Sequence, residues 1–288
     1  MTSTTYIDKA HAALSPALIA STRKRLAQLY AATQYAESLV DDLLCLPLVQ
    51  VAIERRRIAG MPPGRSPRAA AEAAAVELTS LPPERWRAVL AGLAPRQQKR
   101  TLQRMLAAAG PFTQTDPDRA YRLAGAILRI IRNDRLPARA PLVRRQLAGR
   151  ALLLRARALI TLRAYADALP VVSEAHAAFP RGSAYARDRM QAQFLRGQVL
   201  AATGHPADAL QTLTACAQFA VEHIDPAALV DALAAAAVLL CAHREYGVAR
   251  SALALAAHVA GRPGNESSLP PLYASLAECA FLGYASAP

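Results

Sequence analysis

The stretch RARALITLRAYADALPVVSEA, residues 155–175, contains the pattern that decides the fold. A small residue, Ala156, lies in its first half and another, Ala168, lies in its second half, with the larger Leu159 and Val172 around them. Small side chains at facing positions let two antiparallel helices approach closely. The stretch therefore predicts a helix, a short turn and a second helix packed against the first.

The same pattern returns twice, 41 and then 40 residues further along the chain. The equivalent small residues are Gly197 and Ala209 in the second copy and Ala237 and Ala249 in the third. One helical hairpin cannot bury its apolar face alone, so a repeat of this period predicts hairpins that stack on one another.

The composition agrees with an all-α fold. The chain has 288 residues, of which 53% are hydrophobic and only 5% are aromatic. This is enough apolar material for a core, which excludes global disorder, and too few aromatic residues for a β-sandwich or barrel. Proline, often after Ser or Asp, marks helix starts. The predicted helices are 16–46, 48–58, 67–79, 83–93, 95–109, 117–133, 141–163, 166–179, 184–203, 206–222, 226–243, 246–260 and 270–283.

The segments around two of the turns resemble the tetratricopeptide repeat (TPR) family. They are Tyr165-Ala166-Asp167-Ala168-Leu169 and Gly204-His205-Pro206-Ala207-Asp208-Ala209-Leu210. The resemblance implies an α-α superhelix, a TPR-like solenoid of antiparallel helix hairpins, over residues 111–288. Residues 1–110 do not repeat, and we expect a helical region there that caps the solenoid or self-associates into a homo-oligomer. Members of the family mostly serve as protein-binding scaffolds, so the resemblance implies a non-enzymatic adaptor or regulator.

In TPR-like proteins the first helices of the hairpins line a groove that binds a protein or peptide. The resemblance therefore nominates the outward side of three helices as the groove. The nominated residues are Arg150, Leu153, Arg157 and Ile160 in the first, Gln191, Phe194 and Gln198 in the second, and Asp231 and Val238 in the third. The nominated residues change from basic to acidic along the chain, which favours a partner with an acidic end.

The charge of the chain suggests an alternative partner. The net charge is +13, and residues 111–163 alone carry 12 basic and three acidic residues. The predicted helix 117–133 has arginines along one side. The alternative is a basic regulator associated with nucleic acid that uses residues 55–163, with contacts to phosphate and no sequence readout. The candidate anion contacts are Arg119, Arg122, Arg129, Arg132, Arg144 and Arg145.

No catalytic or metal-binding motif stands out. The six histidines lack metal-ligand spacing, and no nucleophile motif or dinucleotide-binding glycine pattern is present. We therefore expect no enzyme activity, no cofactor and no metal. The longest apolar run is too short to cross a membrane, and no secretory signal is evident, so we expect a cytoplasmic protein with no membrane partner. The four cysteines are isolated, and we expect buried thiols.

Overall fold

The computed structural model describes residues 14–44, 85–86, 90, 95–132, 141–180, 182, 185–223 and 225–260. For residues 35–44 and 95–97 it describes the backbone alone. Ten helices lie within these ranges. They are α1 Pro16–Leu44, α2 Pro95–Ala109, α3 Phe112–Thr115, α4 Pro117–Arg132, α5 Pro141–Thr161, α6 Tyr165–Ala178, α7 Ala186–Ala202, α8 Pro206–Glu222, α9 Pro226–Ala242 and α10 Tyr246–Ala260.

The predicted all-helical fold is confirmed over the described ranges, where no strand occurs. Nine of the helix predictions agree with these bounds within a few residues. The short α3 lies in a segment where we predicted a break, because four residues carry no helical periodicity. The predicted helices at 48–58, 67–79 and 270–283, and most of the one at 83–93, lie outside the described residues.

Side-chain caps begin several helices where the sequence predicts them. The Ser15 hydroxyl accepts a hydrogen bond from the Leu18 amide at 3.2 Å. Asp116 accepts one from the Arg119 amide at 3.0 Å, and Asp225 accepts one from Ala228 at 3.2 Å. Each capping residue precedes a proline at the first helical position, where a missing N–H has no intrahelical partner to lose.

The chain divides into two compact units. We call Gly60–Val199 the central unit, and Met1–Ala59 with Leu200–Pro288 the terminal unit. The predicted domain boundary at residue 110 came from the start of the repeat, which is a different criterion, and it stays a prediction.

In the central unit, α4, α5 and α6 pack consecutively, and α2 and α3 pack on α4 and α5. Trp86, Met105, Ile127 and Leu152 are almost fully buried in one core cluster. Ala156 and Ala168 are also fully buried. The close approach of antiparallel helices that their size predicts is therefore present, because no larger side chain separates the backbones.

In the terminal unit, α8, α9 and α10 pack consecutively, and α1 packs on α8 and α10. The buried residues of α1 recur every three or four positions: Ile19, Thr22, Leu26, Leu29 and Thr33. This spacing keeps one face of a helix against its neighbours. Part of the N-terminal region thus packs onto second helices of the hairpins, and its predicted self-association stays a prediction.

Three turns have the same backbone geometry at the period of the repeat. Arg163, Gly204 and Arg244 all have positive φ, of 59°, 83° and 62°. The amide three residues beyond the end of the first helix donates a hydrogen bond to a carbonyl near that end at 2.9 Å in all three turns. The donor and acceptor pairs are Ala164 and Leu159, His205 and Leu200, and Glu245 and Leu240. Such a left-handed residue ends a helix by satisfying its last carbonyls. The backbone of these three turns is therefore compatible with a helical repeat.

Of the two cysteines in the described ranges, one differs from the prediction. Cys216 is a buried free thiol, as expected, and burial raises its pKa to about 12. Cys241, however, is disulfide-bonded. The prediction of a thiol there was wrong, because sequence spacing does not show which distant cysteines meet. Disulfides are rare in the reducing cytoplasm, so this bond gives no support to the predicted cytoplasmic location.

Candidate binding surface

The predicted groove in the central unit begins with a narrow exposed stripe on α5. Gln146, Arg150, Arg157 and Thr161 lie at spacings that bring them to one face of the helix. They are half-buried or exposed, whereas the residues on either side of Arg150 and Arg157 are buried. The middle of α5 is therefore accessible along a line of polar side chains. We call these four residues the α5 stripe.

A second stripe lies on α7, the next first helix in the repeat. It consists of Asp188, Gln191, Phe194 and Gln198, all half-buried. Leu195 and Ala192 lie between these positions and are buried. We call the four residues the α7 stripe. Three of its four side chains are polar, and the fourth, Phe194, packs partly against the core of the central unit.

Hydrogen bonds join the two stripes. The Nε of Arg150 donates to both carboxylate oxygens of Asp188, at 3.0 and 3.2 Å, and its Nη2 donates to Oδ2 at 3.0 Å. Gln146 donates to the same Oδ2 at 3.4 Å. Further along, Arg157 donates to the side-chain oxygen of Gln191 at 3.2 Å. These five residues form what we call the polar network.

The polar network holds its side chains in fixed positions. The Asp188 side chain is only 13% exposed and that of Arg150 is 39% exposed, so this ion pair is partly shielded from water. Charge-assisted hydrogen bonds of this bidentate kind add geometric definition as well as energy. The charge of Arg150 is therefore largely neutralised by Asp188. Arg157 is exposed and contacts Gln191.

The structure brings together three of the predicted groove residues, Arg150, Arg157 and Gln191, through this network. Ile160 and Phe194 are half-buried and pack on the core, and Gln198 is half-buried further along α7.

Leu153 must be removed from the predicted groove. It is only 3% exposed and belongs to the core cluster of the central unit. Three residues after Arg150, its side chain is turned about 60° around the helix axis, and this is enough to move it from the stripe into the core. The error arose because the sequence does not show how narrow the exposed face of α5 is.

The remaining two groove residues belong to the terminal unit, on α9. Asp231 and Val238 are both exposed, and Val238 is the most exposed large hydrophobic residue among those described, at 65%. Ala234 and Ala235 are half-buried near them. This face of α9 is therefore mostly apolar, with one carboxylate.

Sequence reasoning missed Asp188 and Gln146. Asp188 was not singled out in the sequence, yet it accepts three hydrogen bonds from Arg150. A signal was present in the sequence: Arg150 and Asp188 are 38 residues apart, close to the repeat period, so they lie on consecutive first helices. The handedness of the stacking, which the sequence does not show, decides which side chains then meet.

Three of the six candidate anion contacts have partners within the central unit. Arg144 donates from Nε to the carbonyl of Ile131 at 2.8 Å, and from Nη2 to the carbonyl of Arg132, so it caps the end of α4. Arg119 lies over the ring of Phe112, at 4.2 Å from the centroid. Arg132 forms an ion pair with Glu174 of α6. We therefore correct the assignment of Arg144, whose donors are used to end a helix.

The other three candidates, Arg122, Arg129 and Arg145, are exposed. Among the described residues, none forms a side-chain hydrogen bond or an ion pair with their guanidiniums. They are the candidates whose charge remains available to a partner.

His176 is the histidine with a perturbed pKa in the described part of the chain. Burial, together with the charges of Arg189 and Arg196, lowers its pKa. Its ring lies 3.0 Å from the side-chain amide of Gln193. Its neighbours are cations and an amide, and the described residues contain no group of three or more His, Cys, Asp or Glu that could hold a metal ion.

Comparison of the chain with protein-family models, with curated proteins and with solved structures finds no match. In the described ranges, no helix combines the length and apolar character needed to cross a membrane.

Proposed function

We propose that the protein is a non-enzymatic interaction module of TPR-like architecture. In this proposal the α5 and α7 stripes bind an extended peptide or a helix of a partner protein. The observation that carries the proposal is the polar network, which keeps an accessible polar surface between two consecutive first helices. The equal geometry of the three turns supports the TPR-like arrangement, because each turn returns the chain in the same way.

The chemistry of the stripes favours a particular kind of peptide. Gln191 and Gln198 present amides that can donate to and accept from a peptide backbone. Phe194 presents part of an aromatic ring to an apolar side chain. Because Arg157 is exposed, we assign recognition of an acidic side chain to it. A peptide with one carboxylate near an apolar residue fits this set.

Capture of partners by the full-length protein tests the proposal. The tagged chain is incubated with nuclease-treated lysate, and bound proteins are measured by quantitative mass spectrometry. The test variant is Arg157→Glu. The matched control is Arg196→Glu, the same charge change at an exposed residue of α7, about 140° around the axis from Gln191. We expect a specific partner to be lost with Arg157→Glu and kept with Arg196→Glu.

A partner retained equally by both variants would show that the stripes are not its binding site. A partner lost equally by both would show that overall charge, and not the polar network, decides binding. Circular dichroism of both variants checks that each remains folded.

A further inference from the structure

The outward face of α4 differs in character from the two stripes. Its exposed residues are Asp118, Arg122, Arg129 and Arg132, with Gly125 half-buried between them. Every other side of the helix is held in the core by Ala124, Ile127, Ile131 and their neighbours. We call the exposed residues with Gly125 the arginine face. The helix cannot rotate without exposing its core residues. The arginines therefore extend from a backbone whose orientation is fixed.

Two arginines on this face are available to a ligand. Arg122 and Arg129 are seven residues apart, which places them about 20° apart around the axis and about 10.5 Å apart along it. Arg132, on the same face, is paired with Glu174. Among the described residues, no carboxylate forms an ion pair with Arg122 or Arg129, although Asp118 lies one turn before Arg122 on the same face.

Gly125 leaves open space between the two arginines. A Cβ atom added there would meet no heavy atom within 4 Å. A glycine in the middle of a helix lowers its stability by up to about 1 kcal/mol relative to alanine. Here no close neighbour in the described structure requires it. The absent side chain leaves room for an anionic group to approach the helix backbone between the two guanidiniums.

The surrounding charge strengthens this site. The sequence of the central unit contains 24 basic and nine acidic residues, a net charge of +15, whereas the terminal unit contains 10 and 12, a net charge of −2. Almost all of the positive potential of the protein therefore originates from the unit that contains the arginine face. Such a field attracts polyanions at long range and raises their rate of association.

We propose that the arginine face binds the phosphate backbone of a nucleic acid, without sequence readout. Arginine matches phosphate through paired N–H donors. An acidic protein fits less well, because protein interfaces have an apolar centre and this face has no apolar side chain. An anionic membrane also fits less well, since a helix that lies on a membrane presents Trp, Phe or Leu to it. Bases are not read here, because the face carries neither aromatic rings nor amides.

Two substitutions at Gly125 test the proposal. Gly125→Glu puts a carboxylate between the arginines, and Gly125→Gln puts a neutral side chain of the same size in the same open space. Binding is measured by fluorescence anisotropy with a mixed-sequence single strand and a duplex of the same length, using full-length protein at several salt concentrations. We expect Gly125→Glu to weaken binding roughly tenfold relative to Gly125→Gln.

The salt dependence gives a second readout. With duplex, the double variant Arg122→Ala/Arg129→Ala should lower the slope of log affinity against log salt by about 2, because two phosphate contacts are lost. Both Gly125 variants should melt at or above the wild-type temperature, since a non-glycine residue favours the helix. Loss of binding then reports charge and not unfolding.

Several outcomes would overturn the proposal. One is no measurable binding of either nucleic acid at low salt. Another is equal binding by Gly125→Glu and Gly125→Gln. Tighter binding of vesicles with anionic headgroups, or of polyglutamate, at equal charge concentration would assign the face to a membrane or to an acidic protein. Arg157→Glu should leave the nucleic-acid affinity within about twofold of the wild-type value. A failure of this proposal can therefore be distinguished from a failure of the proposed peptide binding by the α5 and α7 stripes.

Discussion

The hairpin α5–α6 of the central unit and the hairpin α9–α10 of the terminal unit have turns of nearly the same geometry. Their turns contain Arg163 and Arg244, with φ of 59° and 62°, and are closed by hydrogen bonds of the same length. Their exposed first-helix residues, however, are unlike. Arg150 and Arg157 on α5 are replaced by Asp231 and Val238 at the equivalent positions of α9. The buried small residues and the turn thus maintain the fold, while the exposed residues of the first helix are free to differ between hairpins.

The two hairpins also differ in how they fill one position of the core. Gly149 of α5 lies against the ring of Phe179 at the end of the hairpin. The equivalent residues of the other hairpin are Val230 and Ala260, both buried. The first hairpin combines the smallest residue, Gly149, with the large Phe179. The second combines Val230 with Ala260 at the same two positions. The volume is redistributed between two positions, which a close-packed core permits.

The largest expected effect comes from disturbing this pair. Gly149→Ala would place its Cβ 2.6 Å from two atoms of the Phe179 ring. We expect the free energy of unfolding to fall by about 1–3 kcal/mol, because the ring must move within the core. Urea denaturation measures the loss. The matched control is Gly125→Ala on α4, where nothing lies within 4 Å, and we expect a gain of up to about 1 kcal/mol there.

A double-mutant cycle with Phe179→Ala sharpens this result. If the ring causes the clash, Gly149→Ala should cost much less in the Phe179→Ala background than in the wild type. An equal cost in both backgrounds would contradict the explanation by volume.

A smaller effect concerns Cys216, which occupies the position that Ala175 and Ala256 occupy in the two hairpins. Burial raises the pKa of its thiol from 9.0 to about 12. The unfolded chain therefore ionises first, so the stability that this thiol contributes is fully present below pH 9 and is lost as the pH rises towards 12. Between pH 8 and 10 we expect a loss of about 1 kcal/mol in the wild type relative to Cys216→Ala.

Denaturation of both proteins across this pH range measures the difference. Parallel curves for the wild type and Cys216→Ala would show that the thiol does not remain protonated in the folded state.

The smallest expected effect is at the turns. A left-handed backbone conformation is sterically strained for arginine and unstrained for glycine. Glycine, however, loses more chain entropy on folding, which offsets part of this advantage. Arg163→Gly and Arg244→Gly should each raise the free energy of unfolding by about 0.5 kcal/mol. Gly204→Ala, at the equivalent turn with φ of 83°, should act in the opposite direction. Thermal melting compares the three, and a loss of stability in either arginine variant would contradict the shared geometry of the turns.

Much of the fold follows from the sequence because the signals are local. Proline at Pro117, Pro206 and Pro226 marks helix starts, and the repeat of small residues such as Ala168 and Ala249 predicts the hairpins. Small α3 was missed because it is too short to have a period. The exposure of Arg157 and Val238 could also be predicted, since each lies opposite the buried face of its helix.

The candidate sites depended on distances that the sequence does not contain. Only the tertiary structure decided that Leu153 is buried, that Arg150 is bound by Asp188 and that Arg144 ends a helix. It also decided that, within the described part of the chain, Arg122 and Arg129 have no side-chain partner, whereas Arg132 pairs with Glu174. A local pattern assigns each residue to a face of its own helix. Whether that face meets a carboxylate, a carbonyl, a core or water depends on how helices distant in sequence pack together.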